Sequence, residues 1–260
     1  MVVVSVPTGP AREAVRPGDL RTTWLIARRG AVESLHDHMT VWVSTILALV
    51  VPILIVLLVV RPRANPAGAE AGGTVGSLIA VYLLVTGLFP SSGSIGIAAG
   101  MFAGEKEQGS LLPLLATPAS NRAIFAGKVL GAVLPALLYA GVAEASYLAE
   151  IWLLLGATTL QLLPLAVACA MLALVPVDAV LGAAVAGLVS SRVRTYQSAQ
   201  MLSSLALFPI MAALFGLAIQ MQRWGPWVLV IAVGTILALD VTLVLLGAST
   251  WRREEVMARR

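Results

Sequence analysis

Glu144, Asp178 and Asp240 stand inside long apolar runs, and Glu150 lies nearer the end of one; no Lys or Arg shares those runs. A charged side chain at the centre of a bilayer costs about 2.5–3.5 kcal/mol on insertion scales, so each acid needs a partner, water or a proton. Two readings stay open. In one, Glu144, Asp178 and Asp240 form a cation-attracting surface along a translocation path, suited to a metal ion such as sodium or to an amphipathic cationic small molecule. In the other, each is protonated or hydrogen-bonded to Ser, Thr or backbone groups freed by Pro135 or Pro176. Glu150 reads as interfacial.

Other reactive groups are sparse. His36, Asp37 and His38 are neighbours, but two His at i, i+2 on a helix point apart, so no metal site is expected. Cys169 is the single cysteine, which excludes a disulfide framework, and it reads as a packing residue. There is no plausible nucleophile–base pair and no G-x-x-x-x-G-K-[ST] phosphate loop; Gly127-Lys128 is followed by Val129. No catalytic residue and no bound cofactor are expected, and the chain is not read as an enzyme.

The elements that must position the acids follow from hydropathy. Of 260 residues, 59% are hydrophobic and 12% charged, with mean hydropathy +0.93. A soluble domain has roughly 45–50% and 25%, so the solvent for this excess is lipid. The basic residues are scattered at the ends of apolar runs, which points to a membrane surface and not to nucleic acid. Met1 to Pro7 is too short, and lacks the basic start, for a signal peptide.

Long apolar stretches, free of Lys and Arg, predict an all-α, six-span bundle at about 41–60, 76–101, 129–155, 162–189, 199–219 and 227–248. The run from Val129 to Val189 would extend about 90 Å as one helix, roughly three bilayers, so it must break, and Gly156 to Gln161 is its weakest point. Residues 1–40 form a tail and an interfacial helix, 104–128 a central loop and 249–260 a basic tail. Only Arg61, Arg63 and Arg223 fall on one side of this arrangement, and the rest of the 17 Lys and Arg fall on the other. The positive-inside rule then places both termini in the cytoplasm. Trp224 and Trp227 read as interfacial anchors.

Between Leu20 and His38, Leu20, Trp24, Ala31 and Leu35 share a helical face, which predicts an amphipathic helix on the inner leaflet. Ser92, Gly96, Gly100 and Gly104 recur every fourth residue, a small-residue face that predicts close approach of another helix and puts the second span at the centre of the bundle. Phe208, Met211 and Phe215 in the fifth span read as packing or lipid contact in preference to a cavity lining.

Gly104 to Lys128 is the long polar interruption. Glu105, Lys106 and Glu107 leave the membrane with the second span, and Thr117-Pro118-Ala119-Ser120 offers a helix start before Ala123, Ile124 and Phe125. The expectation is a short amphipathic cytoplasmic helix, either a docking handle for a cytosolic protein or a surface helix resting on lipid.

This segment resembles the ABC type-2 permease family, the transmembrane subunits of ATP-binding-cassette exporters. The resemblance rests on Glu105, Lys106, Glu107, Gly109, Ser110, Leu114, Leu115, Thr117, Pro118, Ser120, Gly127 and Lys128. Pro113 departs from the pattern, as does the short loop after the first span, where some relatives carry a large external domain. The resemblance implies an export permease in the plasma (inner) membrane of a prokaryote, multi-pass, whose 104–128 loop couples to separate ATPase subunits carrying ATP and Mg. It also implies a second permease chain, identical or similar. An ion-gradient-driven secondary transporter or channel that uses the intramembrane acids is the alternative, and a non-transporting membrane scaffold is a third reading.

Overall fold

The computed structural model of the protein describes residues 19–64, 70–109, 119–193, 195–225 and 227–250. Every element among them is helical, and six helices are long and apolar enough to cross a membrane. Helix α1 (Asp19–His36) stops at Asp37, whose carboxylate accepts the Thr40 backbone N–H at 3.3 Å and so caps α2 (His38–Ile55). His36 donates from Nδ1 to the Val32 carbonyl at 2.7 Å instead of joining His38. Pro52 interrupts the backbone ladder of α2. The helix then widens into a π turn, Val56–Val60, and closes at Arg61–Arg63, so the loop predicted from Arg61 starts only after that turn.

The second span, Val75–Glu107, joins α3 (Glu70–Ser91) to α4 (Gly93–Ala99), with a break at Ser92, just beyond Pro90. It continues through a second π turn, Gly100–Gly104, into Glu105–Glu107, and ends at Gly109, whose φ of 71° is a left-handed conformation suited to glycine. Helix α5 (Asn121–Leu155) starts at Ser120, whose hydroxyl accepts the Ala123 N–H at 3.1 Å. From Asn121 onward the segment before Lys128 is the opening of one continuous 35-residue helix, and the rest of the expected coupling helix lies outside the described residues. Ser110, Pro113, Leu114, Leu115, Thr117 and Pro118 lie outside the described residues, as do 1–18 and 251–260. Gly156, with φ of 88°, ends α5, and after a single helical turn at Ala157–Leu160 come α6 (Leu165–Ser190), α7 (Tyr196–Trp224) and α8 (Trp227–Thr250).

The third span is the most enclosed, 72% buried, followed by the second at 56% and the fourth at 50%; the first, fifth and sixth are 17–22% buried and form the periphery. Inside lipid the apolar effect does not hold helices together, so enclosure depends on close packing of small side chains. Helix α5 supplies Gly131, Ala132, Ala136, Ala140 and Ala143 on its buried faces. At Gly127 a Cβ would lie 2.9 Å from the Thr23 carbonyl and 2.8 Å from Ile26, so α1 lies directly on the glycine backbone. The amphipathic face of α1 thus divides. Ala27, Gly30 and Ala31 are buried, whereas Leu20, Trp24 and Leu35 are exposed and point away from the bundle. Cys169 in α6 is exposed, in contrast to its expected packing role.

Candidate functional site

A cavity of about 1270 Å³ opens between α2, α3, α4 and α7. At the α1 end of the bundle its wall carries Glu33, Asp37 and Glu105, and its far end reaches Thr86 and Asp178. Ser92, Gly96, Gly100 and Gly104 all lie on this wall. The predicted role of that stripe is therefore corrected. Among the described residues, Gly96 and Gly100 meet α7 through Gln200 and Tyr196 side chains, Ser92 is exposed, and a Cβ at Gly104 would meet nothing within 4 Å. The small side chains hold space open where helix contact is expected. Phe208, Met211 and Phe215 stand on the cavity wall, and Met211 also packs against the core as its spacing suggests.

The three acids do not share one position. Asp178 lies on the cavity wall, 4% exposed, and its Oδ2 accepts from the Ser91 hydroxyl at 2.7 Å. The break after Pro90 places that serine opposite α6. Asp240, on α8 and within electrostatic range of Asp178, is also 4% exposed, and neither carboxylate oxygen has a hydrogen-bond partner among the described residues. Glu144 is buried in α5 against Gly87, where a Cβ would lie 2.4 Å from its Oε1, and that oxygen has no partner either. Neither Glu144 nor Asp240 lines the cavity. The Ser94 hydroxyl, one turn beyond Ser91, is a further buried oxygen without a partner.

At the α1 end, the charged triplet turns inward onto the bundle. The Lys128 ammonium, 1% exposed, meets Glu105 Oε2 at 2.6 Å, also donates to the Met101 carbonyl, and lies 5.2 Å from the Phe102 ring centroid. Lys106 donates to the Val193 carbonyl at 3.3 Å. Glu107 Oε2 accepts the Tyr196 backbone N–H at 3.0 Å, satisfying one of the donors that α7 leaves open at its start. Consecutive residues of the triplet thus fasten the second span to the third and to the connection leading into the fifth. Of the residues on which the 104–128 resemblance rests, Gly127 seats α1, Lys128 holds Glu105, Gly109 ends the helix and Ser120 starts the next.

Sequence reasoning missed the partners. Nothing in the spacing of Glu105 and Lys128 marks a contact across 23 residues. Tyr196 and Gln200 on the cavity wall carried no signal beyond their polarity at the start of an apolar run. Among the described residues no group of His, Cys, Asp or Glu could hold a metal ion. No protein-family model matches this chain, and no curated protein matches it.

Proposed function

We propose that this chain is the membrane-spanning permease subunit of an ATP-driven ABC exporter. It works with separate ATPase subunits, which bind ATP and Mg, and with a second permease chain, in the plasma membrane of a prokaryote with both termini in the cytoplasm. The observation that carries this reading is the attachment of Glu105, Lys106 and Glu107. A loop that receives force from a partner must be tied to the helices it moves, and this one is tied to α5 by the Lys128 ion pair and to the start of α7 by hydrogen bonds. The resemblance of 104–128 to the permease family supports the identity of the partner, and the cavity reaching from that end to Asp178 supplies a route for cargo.

The test is recovery of the tagged protein from its native membrane in mild detergent, with mass spectrometry of what accompanies it. A stoichiometric P-loop ATPase is the expected companion. Transport by the chain alone in proteoliposomes, driven by an ion gradient and indifferent to nucleotide, overturns the proposal. That outcome would favour a secondary transporter, the reading to which the unpartnered carboxylate oxygens of Glu144 and Asp240 lend support.

A further inference from the structure

Among the described residues, the charged side chains on the cavity wall are all acidic. Its charged lining residues are Glu33, Asp37, Glu105 and Asp178, and none of the described Lys, Arg or His residues lines it. Glu33, Asp37 and Glu105 stand at the α1 end, paired with Arg29, the α2 cap and Lys128, so Asp178 is the acid that meets an occupant deep in the fold. Ser91 fixes one of its oxygens, so the carboxylate is oriented without an ion-pair partner among the described residues. The same cavity is also lined by Phe89, Leu207, Phe208, Met211 and Phe215, which give it an apolar wall, with Phe89 and Phe208 59% and 70% exposed.

We infer that this cavity binds an amphipathic organic cation, entering from the α1 end, with Asp178 as its counter-ion and the aromatic wall as the seat of its apolar body. The inference rests on the transport reading above and gives it a substrate class. Three observations select this class. The volume of about 1270 Å³ is far beyond what a bare ion fills, and no ring of ligands converges there among the described residues, which favours an organic occupant over a metal ion. Aromatic faces attract an organic cation as well as an apolar body. An anion of the same size meets a buried carboxylate in a low-dielectric wall and is rejected.

Purified wild-type protein, Asp178→Asn and Ser204→Lys, each checked for monodispersity, are titrated with radiolabelled tetraphenylphosphonium and, separately, with tetraphenylborate, an anion of matched shape. Asn keeps the hydrogen bond to Ser91 and removes the charge. Ser204 lies exposed on the cavity wall, so a lysine there adds a positive charge without disturbing packing. The expected result is saturable phosphonium binding by the wild type, at least tenfold weaker in Asp178→Asn, lost in Ser204→Lys, and no saturable borate binding. Absence of a saturable phosphonium component, equal binding by the borate, or phosphonium binding unchanged in the variants overturns the inference. If Asp178→Asn does not fold, Ser204→Lys decides. An ATPase that accompanies a wild type unable to bind phosphonium would leave the permease reading standing without this substrate; phosphonium binding with no ATPase would do the reverse.

Discussion

The Lys128 ammonium and the Glu105 carboxylate meet at 2.6 Å although α5 and the second span reach that point from opposite ends of a 23-residue separation. Lysine is buried to 1% exposure there, while Glu105 keeps 31% of its side-chain surface. Removing the carboxylate strands a buried cation with only the Met101 carbonyl and the Phe102 face.

Glu105→Gln should therefore destabilise the protein by about 3–5 kcal/mol, the usual penalty for breaking a buried pair from one side. Glu105→Gln combined with Lys128→Met should recover much of that loss, because no uncompensated charge remains. Thermal unfolding in detergent of the singles and the double gives the cycle. The exchanged pair, Glu105→Lys with Lys128→Glu, separates the lock from docking. Retained stability with loss of the accompanying ATPase would place the Glu105 charge at the partner contact, and retention of both would confine it to the lock.

Gly127→Val should lift α1 off α5. Its side chain would run into the Thr23 carbonyl and Ile26, and overpacking of this kind costs about 1–3 kcal/mol. Limited proteolysis after α1 should accelerate in this variant. Gly141→Ala, where a Cβ meets nothing within 4 Å, is the matched control and should be neutral or stabilising by up to about 1 kcal/mol.

The acids should separate by position. Asp178→Asn is expected to abolish transport with the fold intact, since its hydrogen bond to Ser91 survives. Glu144→Gln should leave transport within about twofold, because Glu144 does not line the cavity, and Asp240→Leu should raise thermal stability, because it removes a buried carboxylate whose oxygens have no partner among the described residues. Transport by proteoliposomes and melting curves are read on the same preparations. Loss of transport in Glu144→Gln would move the path away from the cavity.

Topology can be read with one reporter thiol at a time. In a Cys169→Ser background, a cysteine at Arg63 should react with a membrane-impermeant maleimide on intact cells, and one at Arg192 should react only after the membrane is opened. The opposite pattern would invert the orientation taken from the positive residues.

The spans are legible in the sequence because apolar length free of Lys and Arg is a one-dimensional property, and the break after Pro90 and the stop at Gly156 follow from backbone chemistry that single residues announce. The site is legible only in part. Asp178 stands out as an intramembrane acid, but its separation from Glu144 and Asp240 depends on which helix face meets the cavity, and near-uniform apolarity erases the amphipathic period that would report a face. The Ser92–Gly104 stripe misleads for a related reason: small residues permit close approach and do not compel it. The burial of Lys128 is not legible in the sequence, because it depends on a partner from another helix.

Helix α5, uninterrupted over 35 residues, is about 52 Å long, and a bilayer core is about 30 Å thick. It can work as a lever. A tilt of about 5° about its midpoint displaces each end by about 2 Å. One end carries α1 and the Lys128 lock; the other reaches Leu155 beside the Gly156 turn. A small torque at one face of the membrane is thereby felt at the other without any helix unwinding.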